Sequence, residues 1–122
     1  MANDPVLDPQ ALDNLRAISP DDGGEFLREL VAIFLSDTPE RIAELETAIK
    51  AGDQQTGGRA AHSIKGSASN FGAGALAAVA KRIEQLCKEG QLAAVGPLLR
   101  SLHDEYARVD QELRAVAGVS GP

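Results

Sequence analysis

Apolar residues recur at intervals of three and four along most of the chain, the spacing that places them on one face of a helix. Near the N terminus, Leu12 and Leu15 form a short apolar stripe, which predicts a short helix over about residues 9–17. Longer stripes follow, and two of them end at Gly52 and Gly90, where a glycine suits a left-handed helix cap. The pattern therefore predicts a chain made of helices.

Asp8, Asp22 and Asp53 lie at positions where helix N-caps are expected. At Pro39 the apolar pattern starts again, within the stretch that ends at Gly52. No strand pattern competes, and the connections are short, so neighbouring helices should run antiparallel. We predict an all-α fold, an antiparallel up-and-down four-helix bundle with a short extra N-terminal helix. We expect one domain over residues 1–122, with a core of about 20–117 and a frayed tail from Val119 to Pro122.

The composition narrows the class of protein. Aromatic residues make up 3% of the 122 residues and tryptophan is absent, so the core must be mainly aliphatic. The net charge of −6 argues against nucleic-acid binding and an acidic membrane surface. No apolar segment is long enough to insert into a membrane, no signal peptide is evident, and the single cysteine, Cys87, forms no internal disulfide. We therefore expect a cytoplasmic protein.

The segment AHSIKGSASNFGA, residues 61–73, carries one of the two histidines. On a helical wheel the apolar residues Ala60, Ile64 and Ala68 lie opposite His62, so the imidazole is expected in solvent. The residues within about 60° of His62 are polar or glycine: Gln55, Gly58, Arg59, Lys65, Gly66 and Ser69.

Two glycines on this face, Gly58 and Gly66, each cost about 1 kcal/mol relative to alanine inside a helix. Because glycine has no side chain, the surface on both sides of the imidazole is open to another macromolecule, and a face that meets only solvent does not need this. Gly57 falls on the apolar side, which suggests that the helix starts late or is locally loose.

Lys65, three residues after His62, is within reach of a phosphoryl group on the ring, and as a free lysine it would help keep the ring neutral. These features favour phosphoryl transfer at His62.

The segment AHSIKGSASNFGA resembles the signature of histidine phosphotransfer (HPt) domains, and the similarity extends over nearly the whole chain. The resemblance implies that His62 accepts a phosphoryl group from an aspartyl phosphate on a response regulator receiver domain and passes it to another receiver. It also implies a hybrid sensor histidine kinase upstream, no cofactor in this chain, and Mg²⁺ on the partner receiver. No glycine-rich ATP loop is present, so we expect a carrier rather than a kinase, either free-standing or cut from a hybrid kinase.

The resemblance also suggests roles for individual residues. Lys65 would steady the phosphoryl oxygens, Gly66 would permit close approach, and Gly72 would help the chain turn, with Ser67 as a small packing residue. Glu84 occupies the position of a residue that orients the imidazole, where relatives often have glutamine; a surface charge is the alternative interpretation. For docking we consider Gly58, Arg59, Gly66, Ser69 and, on an earlier helix, Leu35 with Val31, for which core packing is the alternative.

Two other classes of function remain as alternatives. The first is a helical-bundle module that docks signalling proteins without carrying phosphate. The second is a hydrolase or metal enzyme, which the spacing of His62 and His103 disfavours because it does not match a ligand pair. We expect no metal site, and we interpret His103 as a surface residue and Cys87 as partly buried and inert.

Overall fold

The fold was analysed in a computed structural model that describes residues 5–118 and is helical, without strands, over that range. Its elements are α1 (Pro9–Arg16), α2 (Glu25–Ala51), α3 (Gln54–Asn70), α4 (Gly74–Lys88), a 3-10 turn (Leu92–Ala94) and α5 (Gly96–Ala117). α3 packs between α2 and α4, α5 closes the bundle against α2 and α4, and α1 lies on α2. The predicted four-helix bundle with an extra N-terminal helix is confirmed, whereas the predicted frayed tail lies outside the described residues.

The apolar stripes of the four long helices meet in one core. Its largest fully buried aliphatic side chains are Leu45, Ile64, Leu76, Ile83, Leu102 and Leu113. Three of the four aromatic residues form a cluster, in which the ring of Phe34 lies 5.3 Å from that of Phe71 and 5.9 Å from that of Tyr106, measured between centroids. This cluster joins α2, the end of α3 and α5. Within residues 5–118, none of the helices has the length and apolar character needed to cross a membrane.

Two of the three predicted N-caps, Asp8 and Asp53, are present, whereas the N-cap of α2 is Gly24 and Asp22 lies two residues before it. Oδ1 of Asp8 and Oδ1 of Asp53 accept hydrogen bonds from first-turn N–H groups of α1 and α3, at 2.9 and 3.1 Å. Oδ2 of Asp22 accepts the N–H of Phe26 in the first turn of α2 at 2.9 Å. These bonds satisfy donors that have no partner inside a helix, so the helix starts are specified locally by the sequence.

Pro39 lies inside α2, and the helix continues through it instead of restarting there. A proline removes the N–H that would donate to the carbonyl four residues earlier, here that of Leu35. In the structure the hydroxyl of Tyr106 on α5 donates a long hydrogen bond of 3.4 Å to this carbonyl. Burial and the nearby Asp110 raise the pKa of Tyr106 to about 12, so the hydroxyl keeps its proton. A contact between helices thus partly offsets the lost bond.

The turn between α3 and α4 is held by Gly72, at φ +68°, and by the N-terminal segment that packs on it. The N–H of Gly72 donates to the carbonyl of Ser69 at 3.0 Å, and the N–H of Ala73 donates to that of Ala68 at 2.9 Å, which closes α3 with a Schellman motif. The carbonyl of Gly72 accepts the N–H of Asp8 at 3.0 Å. A Cβ at position 72 would collide with the Cβ of Asp8 and lie 2.8 Å from its nitrogen.

We therefore expect Gly72→Ala to destabilise the protein more than Gly52→Ala does. Gly52 has a similar φ of +71° but no atom within 4 Å of the added Cβ, so its substitution costs only the left-handed conformation, about 1–2 kcal/mol. Gly72→Ala should cost at least about 1 kcal/mol more, because the N-terminal segment must move. Urea unfolding of both variants measures the difference, and equal losses would contradict the account of this turn.

Candidate functional site

His62 lies near the middle of α3 with its side chain 65% exposed. The opposite face of α3 is formed by small or aliphatic residues that are almost fully buried: Ala60, Ala61, Ile64 and Ala68. Burial of this face fixes the rotation of the helix about its axis and turns the imidazole to solvent. The exposure expected from the helical wheel is therefore observed.

Glu84 on α4 holds the imidazole from behind. Its side chain is 8% exposed, and its two oxygens are used by two residues of α3. Oε2 accepts a hydrogen bond from Nδ1 of His62 at 2.9 Å, and Oε1 accepts one from Nζ of Lys65 at 2.9 Å. Glu84 is therefore a buried carboxylate shared by the histidine and the lysine, and the alternative interpretation of a surface charge is wrong.

The contact with Glu84 selects the tautomer of His62. An ionised carboxylate only accepts hydrogen bonds, so Nδ1 must carry the proton when it bonds to Oε2 of Glu84. In the neutral ring, Nε2 is then left with its lone pair and directed away from α4. The arrangement presents one unprotonated nitrogen to solvent.

The pKa of Glu84 reflects opposing effects. Burial alone would raise this pKa, but the hydrogen bonds from Lys65 and His62 and the positive charges of those groups lower it below its ordinary value of 4.5. The carboxylate is therefore ionised at neutral pH, which is the state that both hydrogen bonds require.

Lys65 differs from the expectation of a free cation. Its side chain is 29% exposed and forms an ion pair with Glu84, which compensates its charge. The idea that repulsion from a free lysine keeps the ring neutral is therefore wrong, because the carboxylate lies between the two groups. Only one of the three ammonium hydrogens is needed for the bond to Oε1 of Glu84, so the others remain available to an oxyanion.

Lys88 is a member of this cluster that the sequence analysis did not identify. Its Nζ lies 3.6 Å from Oε2 of Glu84, and its side chain is 72% exposed. The signal was present in the sequence, because Glu84 and Lys88 have the i, i+4 spacing of a helical ion pair. It was uninformative without the knowledge that Glu84 faces His62.

A groove of about 780 Å³ opens beside His62, between the first half of α3 and the last turns of α4. It is lined by Gln54, Gln55, Gly58, Arg59, His62, Ser63, Glu84, Cys87 and Lys88.

Cys87 is fully buried rather than partly buried, and burial and the nearby Glu84 raise the pKa of its thiol, which keeps it in the unreactive thiol form.

Gly57 and Gly58 allow α3 to approach its neighbours closely. A Cβ at Gly57 would lie 3.3 Å from Sγ of Cys87 and 3.3 Å from Cδ1 of Ile49, and one at Gly58 would lie 3.5 Å from Cβ of Cys87. The expectation that Gly57 marks a late or loose helix start is wrong, since α3 begins at Gln54 and Gly57 is buried in it. Gly58 contributes to the contact between α3 and α4 and is not simply a gap in the solvent face.

The residues considered for docking divide into two groups. Gly66 and Ser69 are exposed on α3, and a Cβ at Gly66 would meet no atom within 4 Å, so the surface on this side of His62 is open. By contrast, Val31 is 1% exposed and lies in the core, and Leu35 is half-buried against the core on α2. Neither of these two residues lines the groove beside His62, and a docking role for Leu35 stays a prediction.

The second histidine lies elsewhere. His103 on α5 is exposed, and its Nε2 lies 2.9 Å from Oε2 of Glu46 on α2 rather than pairing with the adjacent Asp104. In the part of the chain from residue 5 to residue 118, no three His, Cys, Asp or Glu side chains are arranged to hold a metal ion.

Comparisons with known proteins agree with this geometry. The family model described as Hpt domain matches residues 29–112, a range that includes His62, Lys65 and Glu84. No curated protein matches the chain. Among solved structures, the chain is similar to the crystal structure of histidine-containing phosphotransfer protein B (HptB) from Pseudomonas aeruginosa PAO1, with a TM-score of 0.85 and 32% identity, covering 96% of this chain and 98% of that one. The chain therefore belongs to the Hpt domain family, the histidine phosphotransfer proteins of phosphorelays.

Proposed function

We propose that Nε2 of His62 is the atom that carries the phosphoryl group in the relay. The observation that supports this assignment is the contact between Nδ1 of His62 and Glu84 on the side away from solvent, at 2.9 Å, which leaves Nε2 unprotonated and exposed. The donor is an aspartyl phosphate on a receiver domain, and the acceptor is the aspartate of another receiver.

The transfer requires little rearrangement at His62. The lone pair on Nε2 forms a bond to phosphorus, and the bond between phosphorus and the aspartate oxygen breaks, with the electron pair leaving on the donor carboxylate. The proton on Nδ1 stays in place, so the phosphorylated ring becomes cationic, and the carboxylate of Glu84 at 2.9 Å stabilises this charge. Transfer to the next aspartate is the reverse of these steps.

Lys65 is proposed to neutralise the phosphoryl oxygens. It lies one helical turn after His62, and its ammonium group is already held by Glu84 near the ring. Ammonium hydrogens not used by Glu84 are available to an incoming phosphoryl group. Mg²⁺ held by the receiver domain would supply the remaining charge neutralisation.

The partners in this proposal are response regulator receiver domains and a hybrid sensor histidine kinase, and the protein acts as a carrier rather than as a kinase. The surface that meets the receiver includes Arg59, Gly66 and Ser69, which lie exposed on α3 around His62. Because such receivers belong to cytoplasmic signalling, the cytoplasm is the proposed compartment.

Incubation with a phosphorylated receiver domain should label the protein in an acid-labile, alkali-stable form, and His62→Gln should abolish the label. The matched control is His103→Gln, which removes the other histidine, also exposed, and should keep the label in full. Label that persists in the first variant would exclude His62 as the acceptor. A receiver that binds without labelling the protein would instead support the alternative of a docking module.

Lys65→Ala should lower the transfer rate by about tenfold or more, because loss of one charge-stabilising donor in a transition state commonly has an effect of this size or larger. Lys88→Ala is the matched control, since Lys88 also faces Glu84 but at 3.6 Å and with a largely exposed side chain. It should have a smaller effect. Rapid-quench measurement of phosphohistidine gives both rates, and equal losses would contradict the role assigned to Lys65.

Glu84→Gln should reduce stability in a pH-dependent way. Since the folded-state pKa of Glu84 lies below its ordinary 4.5, its carboxylate contributes stability that is fully present above that pH and is lost as the pH falls through the folded-state pKa. The wild type should therefore exceed the variant by about 1–3 kcal/mol near neutral pH, and the gap should narrow below about pH 4.5. Chemical unfolding across this range measures it, with the exposed Glu112→Gln as control. A gap that does not change with pH would contradict the pairing.

A further inference from the structure

Charge is distributed unevenly between the two halves of this acidic chain. Residues 54–88, which comprise α3, α4 and their turn, contain five of the 12 cationic residues and one of the 18 acidic residues, a formal charge of +4. The other residues contain seven cations and 17 acids, a formal charge of −10. The helices that carry His62 and Glu84 are therefore positive within a protein of net charge −6.

Four of the five cations of this half, all but Arg82, lie on the same helix faces as His62 or Glu84. Arg59 and Lys65 lie one helical turn before and after His62 on α3, and Lys81 and Lys88 lie about one turn before and after Glu84 on α4. Arg59, Lys81 and Lys88 are exposed. The carboxylate of Glu84 is buried, so it contributes little negative surface.

Two of the exposed cations near His62 form no ion pair, which is also true of Arg28, Lys50, Arg100 and Arg108 elsewhere in the described residues. Within residues 5–118, neither Arg59 nor Lys81 has a carboxylate within 4.0 Å. On α2, by contrast, Arg41 lies 3.5 Å from Asp37 and 3.1 Å from Glu44, and on α5 Arg114 pairs with Asp110. The acids that flank this segment in the chain are Asp53 and Glu89, and Asp53 is used as the cap of α3.

A receiver domain must present the opposite charge at the point of transfer. Its aspartyl phosphate is anionic, and a site that holds Mg²⁺ requires further carboxylate ligands beside that aspartate. At physiological salt, charges interact over about 8 Å, so the field of the cations near His62 extends to an approaching partner before contact. The acidic α2, which contains six acidic and three cationic residues, would repel the same partner.

We propose that the exposed cations of α3 and α4, with Arg59 and Lys81 as the principal pair, form an electrostatic docking surface that steers the acidic phosphorylation face of a receiver domain to His62. This inference rests on the proposed function and adds the electrostatic attraction that orients the receiver domain. The acidic α2 makes the surface directional, because an encounter through that helix brings like charges together.

The test is the second-order rate of phosphoryl transfer from a phosphorylated receiver domain that labels the wild-type protein. The variant Arg59→Glu with Lys81→Glu changes the net charge by −4, and the control Arg100→Glu with Arg108→Glu makes the same change with exposed residues of α5. None of the four residues belongs to the cluster of His62, Lys65 and Glu84, although Arg59 lies on the surface proposed to meet the receiver. Circular dichroism checks that both variants fold.

For the wild type, we expect the rate to fall about tenfold between about 20 mM and 500 mM salt. The α3 and α4 variant should be slower than wild type by about tenfold at low salt, should lose most of its salt dependence and should still reach the same final labelling of His62. The control should stay within about twofold of wild type.

A rate that is independent of salt, or an equal loss in the two variants, would overturn the docking surface while leaving His62 as the acceptor. Absence of label in the wild type with every receiver tested would instead overturn the proposed function, and the docking inference with it.

Discussion

The site depends on one buried carboxylate that joins two helices. Glu84 reaches from α4 to bind both Nδ1 of His62 and the ammonium group of Lys65 on α3, each at 2.9 Å. This geometry requires the two helix axes to be close, and Gly57 permits that approach, since a Cβ there would lie 3.3 Å from Sγ of Cys87. A residue that contributes no functional group thus sets the distance on which the functional contact depends.

The same carboxylate explains how a lysine and a histidine are placed next to each other without repulsion. A buried ionised group is costly unless it is paired and hydrogen-bonded, and Glu84 meets this condition with both oxygens. Its two partners lower its pKa enough to offset the opposite effect of burial. The site therefore has its charges balanced before a phosphoryl group arrives, and the cationic ring formed on phosphorylation faces a carboxylate already in position.

The rest of the bundle keeps α3 in register with its neighbours. The turn that ends α3 is tied to the N-terminal segment through Gly72 and Asp8, and the ring of Phe71 packs on Phe34 of α2. On the far side, Tyr106 of α5 bonds the carbonyl that Pro39 leaves free in α2. These contacts join segments far apart in the chain, and each limits sliding or rotation of a helix that positions His62 or supports α3.

The sequence alone determined the helices, most of their caps and the face on which His62 stands, because helical periodicity and capping depend on residues within a few positions of one another. Arg59, Gly66 and Ser69 were placed around His62 on the same basis. Only the tertiary structure decided that α2 continues through Pro39 and that Gly57 is a packing position. It also decided that Glu84 is buried, that Lys65 and Lys88 face Glu84, and that Leu35 lies away from the groove. Each of these depends on which helices meet, at what distance and in what rotation, and a single helix does not encode the side chains that its neighbours bring from other parts of the chain.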